Sequence, residues 1–278
     1  MNATSAEPGA HPHRQGPANP AAPQPTTRIP SALIAHRLGA ALGPENSLAA
    51  CRAALRAGFR SFECDIKLSA DGQAFLLHDD ALLRTHGSTL RASTQPWAAL
   101  RALPGEALPS LRELRETLRA CADPTWVNLE IKVDDDAPAP LQQAWGQAVA
   151  LLAAALWSDA EPPLLSSFSI AALQGARHAA PGLPRAWLCE QLPPHWRGVA
   201  QTLELRALHL AARGADAAMI ETLRSAGLEL RVYTVNDPAQ LRHWLELGAS
   251  GVFTDGGPGL ADAPAAATPT GSRTRPHA

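Results

Sequence analysis

The stretch Ser61-Phe62-Glu63-Cys64-Asp65-Ile66-Lys67 alternates between polar and apolar residues. Successive side chains of a β-strand point to opposite faces, so Glu63, Asp65 and Lys67 share one face and the apolar residues share the other. Two carboxylates on one buried face repel each other and are costly to desolvate unless a cation lies beside them. We therefore predict a strand whose apolar face packs under helices and whose charged face points into a barrel.

The same alternation recurs at Trp126-Val127-Asn128-Leu129-Glu130-Ile131-Lys132, where Asn128, Glu130 and Lys132 share one face. Glu130 would then join the two carboxylates of the first stretch on a neighbouring strand. Three carboxylates in one place form an all-oxygen site of the kind that Mg²⁺ or Ca²⁺ prefers. The two stretches together predict a divalent cation site.

Lys67 and Lys132 are the only lysines among 24 basic residues, and the other 22 are arginines. Arginine does not replace a compact ammonium on a flexible stem at every site, so both lysines are candidates for a chemical role. Chance survival under a codon bias is the alternative. The charged faces also have a purely structural alternative, a pair of inward salt bridges, Glu63–Lys67 and Glu130–Lys132.

Short apolar segments alternate with longer helical patterns along most of the chain. The predicted strands are Ala32–Ala35, Ser61–Lys67, Trp126–Lys132, Pro163–Phe168, Arg185–Cys189, Ala207–Leu210, Glu229–Val235 and Gly251–Thr254. The predicted helices are Glu45–Ala57, Ser110–Ala120, Leu141–Trp157, Ile170–Ala179, Ala215–Ala226 and Pro238–Leu247. This alternation indicates an α/β fold, and the count of eight strands favours a TIM (β/α)8 barrel over a doubly wound sheet. A further strand, Ala74–His78, follows the Asp71-Gly72 turn and is predicted to pair with the second strand as a hairpin.

The chain has 278 residues, of which 46% are hydrophobic, and a formal net charge of -2. Near-neutral charge argues against a nucleic-acid partner, and no apolar run is long enough for a transmembrane segment. The start of the chain has no apolar core of signal-peptide length and the four cysteines form no C-x-x-C, so we expect a cytoplasmic location. Residues 1–27 and 263–278 are rich in Pro, Ala and Gly, which predicts disordered tails around one domain at 28–262. The oligomeric state is not indicated.

Two of the ten histidines, His36 and His78, directly follow strand-like segments. Strand ends form the active rim of a parallel barrel, and imidazole suits acid–base chemistry near neutral pH. A single histidine there is more often structural, but two beside three carboxylates favour a catalytic pair. Glu45 has two equally good interpretations, either in the first turn of a helix or on the rim near His36.

Nine short motifs carry a family resemblance through their order and spacing. They are His36-Arg37, Pro44-Glu45-Asn46-Ser47, Glu63-x-Asp65, Asp71-Gly72, His78-Asp79, Pro109-Ser110-Leu111-x-Glu113, Glu130-Ile131-Lys132, Tyr233-Thr234-Val235-Asn236 and Thr254-Asp255. In this order the sequence resembles the glycerophosphodiester phosphodiesterase family, most of all its cytoplasmic bacterial branch. The resemblance implies a barrel enzyme, a phosphoric diester hydrolase, that uses a divalent cation to split a glycerophosphodiester into glycerol 3-phosphate and an alcohol.

The resemblance also implies a role for each of ten side chains. The implied acid–base pair is His36 and His78. The implied ligands of the cation, Mg²⁺ or Ca²⁺, are Glu63, Asp65 and Glu130. The implied substrate contacts are Arg37 and Lys132 at the phosphate and Phe168 and Tyr233 at the glycerol, with Glu45 as support. The resemblance further implies that a glycerol hydroxyl attacks first and forms a cyclic phosphate.

Two features depart from the family pattern. Leu38 stands where glycine usually follows the His-Arg pair, with Gly39 and Gly43 close by. The segment from Leu82 to Pro109 is short, so the cap inserted after the second strand should be small. Two alternatives remain open: another metal-dependent barrel enzyme acting on a sugar phosphate, for which Gly256-Gly257 could form a phosphate loop, or an inactive barrel that serves as a binding module.

Overall fold

The computed structural model describes residues 32–256. The predicted tails, 1–27 and 263–278, lie outside these residues, as do both edges of the predicted domain at 28–262. The strands are β1 (Leu33–Ala35), β2 (Ser61–Leu68), β3 (Ala74–Leu76), β4 (Trp126–Ile131), β5 (Leu164–Ser167), β6 (Arg185–Cys189), β7 (Ala207–Ala211), β8 (Glu229–Tyr233) and β9 (Gly251–Thr254). The helices are α1 (Leu48–Arg56), α2 (Leu83–His86), α3 (Trp97–Arg101), α4 (Leu111–Arg119), α5 (Ala139–Leu156), α6 (Ile170–Ala179), α7 (Trp196–Leu203), α8 (Ala217–Ser225) and α9 (Pro238–Glu246). Among these helices, none is both long and apolar enough to span a lipid bilayer.

Eight parallel strands close into a barrel in the order β1-β2-β4-β5-β6-β7-β8-β9, and β9 pairs back onto β1. The remaining strand, β3, runs antiparallel to β2, with Leu76 opposite Ile66. The predictions of a TIM barrel and of a hairpin after the second strand are therefore confirmed. Because all eight strands run the same way, their carboxyl ends form one rim, and that rim carries the residues discussed below.

The charged face of β2 points inward because its other face is needed for the core. Phe62, Cys64 and Ile66 are fully buried and belong to the main hydrophobic cluster, which also contains Leu111 and Leu114 of α4. Burying such side chains contributes about 1.5–3 kcal/mol each, which sets the orientation of the strand. The polar residues of β2 must then lie inside the barrel.

One helix prediction needs correction, and three helices, α2, α3 and α7, are absent from the predicted set. The helix predicted from Glu45 begins at Leu48, because the hydroxyl of Ser47 caps it by accepting a hydrogen bond from the backbone N–H of Ala50 at 3.0 Å. Asn46 has a left-handed backbone with φ of 55°, so Glu45 precedes the helix. Helix α7 was not predicted, since an internal glycine and the preceding prolines hide its periodicity.

The short segment between β3 and α4 forms a small cap, as the sequence predicts. It contains α2 and α3 and has an apolar core of its own, which includes Leu82, Leu100 and Leu108. The ring of Trp97 lies 5.6 Å from the ring of Phe75, measured between centroids, and joins the cap to the hairpin strand. The cap is thus held to the barrel beside the end of β2.

The turn after β1 has three consecutive residues with left-handed backbone, Arg37, Leu38 and Gly39, with φ values of 48°, 66° and 97°. Such a conformation costs a residue with a side chain about 1–3 kcal/mol. The side chain of Leu38 is fully buried in the main cluster, and its burial contributes about 1.5–3 kcal/mol. A leucine is therefore accommodated at the position where the resemblance implies glycine, and the turn aims the backbone N–H of Arg37 at a carboxylate oxygen of Glu63, 2.8 Å away.

Candidate active site

Glu63 and Asp65 of β2 and Glu130 of β4 form one acidic cluster at the carboxyl ends of the strands. One oxygen from each lies within 4.8 Å of the others, and the three residues are 3%, 1% and 8% exposed. The register brings them together, since Asp65 lies opposite Glu130 in the β2–β4 pair. Asn46 holds Asp65 in place through a hydrogen bond of 2.8 Å from its side-chain amide to Oδ2.

The cluster carries more negative charge than its surroundings balance. Burial raises the pKa of Glu63 to about 8, and the charge of Asp65 adds to that effect. Burial also raises the pKa of Glu130, against the opposing charge of Lys132. For Asp65 burial is outweighed by positive neighbours, of which Lys132 is the strongest, and its pKa is lowered. The raised pKa values of Glu63 and Glu130 show that the ionised cluster is unfavourable, and a bound cation would reduce the repulsion between its carboxylates.

His36, at the end of β1, is held by the end of β9. Its Nδ1 lies 2.7 Å from Oδ1 of Asp255, and since an ionised carboxylate only accepts, Nδ1 is the donor. Asn236 fixes Asp255 in turn by donating to Oδ2 at 2.6 Å. Burial lowers the pKa of His36, but the hydrogen bond to Asp255 and the charge of Glu63 outweigh burial and raise it. The other ring nitrogen, Nε2, lies 3.9 Å from Oε2 of Glu63.

His78, just after β3, has the same kind of support. Its Nδ1 lies 2.7 Å from Oδ1 of Asp79, which again makes Nδ1 the donor. Oδ2 of Asp79 accepts from Nε of Arg84 at 2.6 Å, and that hydrogen bond lowers the pKa of Asp79 to about 2. Each histidine therefore has one nitrogen tied to a carboxylate, which leaves its Nε2 available for chemistry.

Two cations flank the acidic cluster. Nζ of Lys132 donates to Oε1 of Glu130 at 3.0 Å and lies 3.9 Å from Oδ1 of Asp65. The contact between Lys132 and Glu130 is one of the two inward salt bridges considered in the sequence analysis as an alternative to a cation site. Arg37 donates from its NH1 group to Oε2 of Glu45 at 3.0 Å, and its Nε lies 3.7 Å from Oδ2 of Asp65. Glu45 thus lies on the rim beside Arg37 although it is not part of the helix.

A cavity of about 250 Å³ opens at the centre of this arrangement. Eight of the ten predicted site residues line it: His36, Arg37, Glu63, His78, Glu130, Lys132, Phe168 and Tyr233. The other two, Asp65 and Glu45, contact residues of its wall. Phe168 and Tyr233 meet edge to face with ring centroids 6.1 Å apart, so they form an aromatic side of the cavity. The hydroxyl of Tyr233 donates to the carbonyl of Cys189 at 3.0 Å, which orients the ring.

Lys67 takes a different position from the one that the strand pattern indicates. Its Nζ donates to Oδ1 of Asp80 at 2.6 Å and to Oδ1 of Asp134 at 2.9 Å, and the residue is 1% exposed. The predicted alternative of a bridge to Glu63 is therefore wrong. Lys67 instead ties β2 to the segment that enters the cap and to the loop after β4.

Several supporting residues were not assigned a role from the sequence. The motifs His78-Asp79 and Thr254-Asp255 contain Asp79 and Asp255 without indicating their role, yet each of these aspartates orients a histidine. The common signal is an acidic residue immediately after a strand or next to a strand-end histidine. Asn46 and Arg84 gave no such signal, because their partners are distant in the sequence and are brought close only by the fold.

Comparison with known proteins shows which protein family the chain matches. The model of the glycerophosphoryl diester phosphodiesterase family matches residues 36–256. A glycerophosphodiester phosphodiesterase of Caldanaerobacter subterraneus subsp. tengcongensis is 26% identical over 236 residues, which cover 80% of this chain and 93% of that protein.

Solved structures of phosphodiesterases have a similar fold. A phosphodiesterase from Oleispira antarctica in complex with the product sn-glycerol-3-phosphate superposes with a TM-score of 0.76 at 27% identity, covering 83% of this chain and 95% of that one. A glycerophosphodiester phosphodiesterase from Agrobacterium tumefaciens gives a TM-score of 0.69 at 26% identity, with coverage of 84% and 100%.

The barrel, the site at its rim and these matches define a phosphoric diester hydrolase built on a TIM barrel. More particularly, the chain belongs to the glycerophosphoryl diester phosphodiesterase family. The resemblance drawn from its motifs is therefore confirmed, and the match favours neither a sugar-phosphate enzyme nor an inactive barrel.

Proposed function

We propose that this site hydrolyses glycerophosphodiesters to glycerol 3-phosphate and an alcohol, with a divalent cation at the acidic cluster and two histidines as the acid–base pair. One observation carries the proposal. Oε1 of Glu63 and Nε of Arg37 are both buried, and neither has a hydrogen-bond partner among residues 32–256. Both residues line the same cavity, so an unsatisfied acceptor and an unsatisfied donor occur together in its wall.

A buried polar atom without a partner costs about 1–3 kcal/mol, more if it is charged, so a bound ion, water or ligand is expected to satisfy it. A phosphodiester with a cation meets both needs. The all-oxygen donor set of Glu63, Asp65 and Glu130 fits Mg²⁺ or Ca²⁺. A phosphate oxygen fits the free donor of Arg37. The residues present therefore suit the cation that the family generally uses.

The negative charge on the phosphate grows as the reaction proceeds, and two cationic side chains of this protein can stabilise it. Arg37 presents a guanidinium and Lys132 an ammonium, both already aligned by carboxylates. Such preorganised donors stabilise developing charge without reorganising during the reaction. When bound, a divalent cation would supply further stabilisation of the same charge as a Lewis acid.

The proposed first step is attack by the glycerol 2-hydroxyl on the phosphorus. One histidine takes the hydroxyl proton as the new P–O bond forms, and the other gives a proton to the alcohol oxygen as the old P–O bond breaks. Water then adds to the cyclic phosphate and opens it, with the proton transfers reversed. The first attack is intramolecular, so it needs little further ordering. The Nδ1 contacts of His36 and His78 with aspartates support this pairing.

A glycerophosphodiester whose 2-hydroxyl is replaced by hydrogen tests this mechanism. Without its nucleophile, the analogue should bind but turn over at least about a hundredfold more slowly. The matched control lacks the terminal hydroxyl instead and should keep most of its turnover. The measurement is the release of the alcohol at saturating substrate. A normal rate with the 2-deoxy analogue would show that water attacks directly and would remove the cyclic step.

The cation is tested separately by binding and by activity. Dialysis against a chelator should abolish turnover, and Mg²⁺ or Ca²⁺ should restore it. Because a ligand that binds only the folded state stabilises it, the same ion should also raise the melting temperature of the stripped protein. Glu63→Gln should lose this thermal response, whereas Glu116→Gln, at an exposed position of α4, should keep it. Full turnover in the stripped protein would contradict the proposed cation site.

Lys132→Arg keeps the positive charge and should still lower turnover by at least about tenfold, or about 1.4 kcal/mol of transition-state stabilisation. The reason is space, because the side chain of Lys132 is only 16% exposed and its Nζ lies 3.0 Å from one carboxylate and 3.9 Å from another. A planar guanidinium on a longer side chain does not fit between them and the phosphate. The measurement is kcat on the intact enzyme. A variant with near-normal kcat would return this lysine to the codon-bias explanation.

A further inference from the structure

Arg84, in helix α2 of the cap, joins two carboxylates that belong to different parts of the site. Its NH1 and NH2 groups donate to the two oxygens of Glu45 at 2.7 and 2.5 Å, and its Nε donates to Oδ2 of Asp79 at 2.6 Å. The side chain is 49% exposed, so these three hydrogen bonds are not needed to neutralise a buried charge. An exposed arginine held by three short contacts indicates a geometric role.

The two carboxylates lead directly to two groups of the proposed mechanism. Asp79 accepts from Nδ1 of His78 at 2.7 Å. Glu45 accepts from NH1 of Arg37 at 3.0 Å. A continuous chain of hydrogen bonds therefore runs from His78 to Arg37, and Arg84 is its central member. Its two ends lie in the wall of the same cavity.

We propose that Arg84 is a positioning residue, which fixes the proton-transfer group His78 relative to the phosphate-binding group Arg37. It acts through Asp79 and Glu45 and does not touch the substrate. The inference rests on the proposed roles of the two groups that it positions. The proposal also gives the cap a function, because helix α2 supplies Arg84 to this network of hydrogen bonds.

The planar shape of the guanidinium is essential to this role. Arginine presents its donors in a fixed fork, so one side chain binds Glu45 with two groups and Asp79 with a third. The ammonium of lysine is a point charge that cannot hold both carboxylates at these distances and angles. Displacing a catalytic group by about 1 Å can cost a hundredfold in rate, although no contact with the substrate is lost.

The test compares Arg84→Ala, Arg84→Lys and the wild type on one glycerophosphodiester. Arg84→Ala should lower kcat about 10–100-fold, the range of losses seen when the outer partners of metal-binding side chains are removed. Arg84→Lys should recover little of it. Guanidinium at concentrations far below those that unfold proteins should restore part of the kcat of Arg84→Ala, and sodium chloride at the same concentration should not. A purely structural role predicts no such rescue.

Arg91→Ala is the matched control, because Arg91 is an exposed arginine of the same cap that pairs with Asp136. It should keep normal kcat. A double-mutant cycle adds a second readout, since Arg84→Ala should cost little in an enzyme that already carries Glu45→Gln and Asp79→Asn. An undiminished loss in that background would overturn the inference.

His78→Ala, measured in parallel, separates the two levels of the argument. If His78→Ala loses activity and Arg84→Ala does not, only the positioning role fails. If His78→Ala itself keeps normal turnover, the proposed function fails as well.

Discussion

Replacing His78 with alanine is expected to lower kcat on a glycerophosphodiester by about 10²–10⁴-fold, the range for loss of a general acid or base. His36→Ala should have an effect of similar size. The reason is that each imidazole has its Nδ1 tied to an aspartate, at 2.7 Å in both cases, which presents Nε2 towards the site. The matched control is His178→Ala, at an exposed position of α6, which should keep normal kcat.

A change of leaving group then assigns the two roles. An ester of glycerol 3-phosphate with p-nitrophenol releases a weakly basic anion that needs no proton. The variant without the general acid should regain most of its rate on this substrate, whereas the variant without the base should not. The measurement is kcat of both variants on both esters. If both histidine variants stayed within a few-fold of the wild type on the aliphatic ester, the acid–base pair would lie elsewhere.

Lys67→Met is expected to be the most destabilising single change at the rim. It removes a buried cation that lies 2.6 Å from Asp80 and 2.9 Å from Asp134, and Asp134 itself is 3% exposed. Breaking a buried ion pair by removing one partner costs about 3–5 kcal/mol, because the other charge is left uncompensated. For a domain of this size the melting temperature should fall by on the order of 10 °C. Thermal unfolding at fixed ion concentration measures it.

Two further substitutions should restore part of the stability that Lys67→Met loses. Adding Asp80→Asn and Asp134→Asn to Lys67→Met removes the uncompensated charges, so the triple variant should melt above the single variant. Replacement of a buried ionic group by neutral groups is often tolerated, whereas its partial removal is not. A single variant that melts within about 2 °C of the wild type, a shift of under about 1 kcal/mol, would mean that water reaches the two carboxylates.

The count of eight strands alternating with helices predicts the barrel, and the polar–apolar alternation within β2 and β4 predicts the acidic cluster. Strand periodicity determines which face a side chain occupies, and the parallel register then places Asp65 opposite Glu130. Periodicity does not determine how far a long side chain extends along that face. Lys67 therefore shares a face with Glu63 in the strand pattern but binds aspartates beyond the end of the strand.

The supporting contacts were harder to predict because they join distant parts of the chain. His36 and Asp255 are 219 positions apart, and Arg84 and Glu45 are 39 apart. No local pattern predicts such pairs, whereas barrel closure brings the first pair together as soon as β9 meets β1. The beginning of α1 was mispredicted for a local reason. Pro44 and Glu45 both suit a first helical turn, but Asn46 has a left-handed backbone, so the helix begins only at Leu48.

The position of the two lysines at the ends of barrel strands has a practical consequence. An endoproteinase that cleaves after lysine has only two target bonds in the whole sequence, following Lys67 and Lys132, and none of the 22 arginines attracts it. Both bonds lie at the carboxyl ends of barrel strands, so cutting requires a strand to leave the barrel. When opening and closing are faster than cutting, the cleavage rate reports the open population, and with it the stability of the barrel. A substrate analogue or an ion that slows this digestion would reveal its binding in a crude extract, with no purification and no turnover.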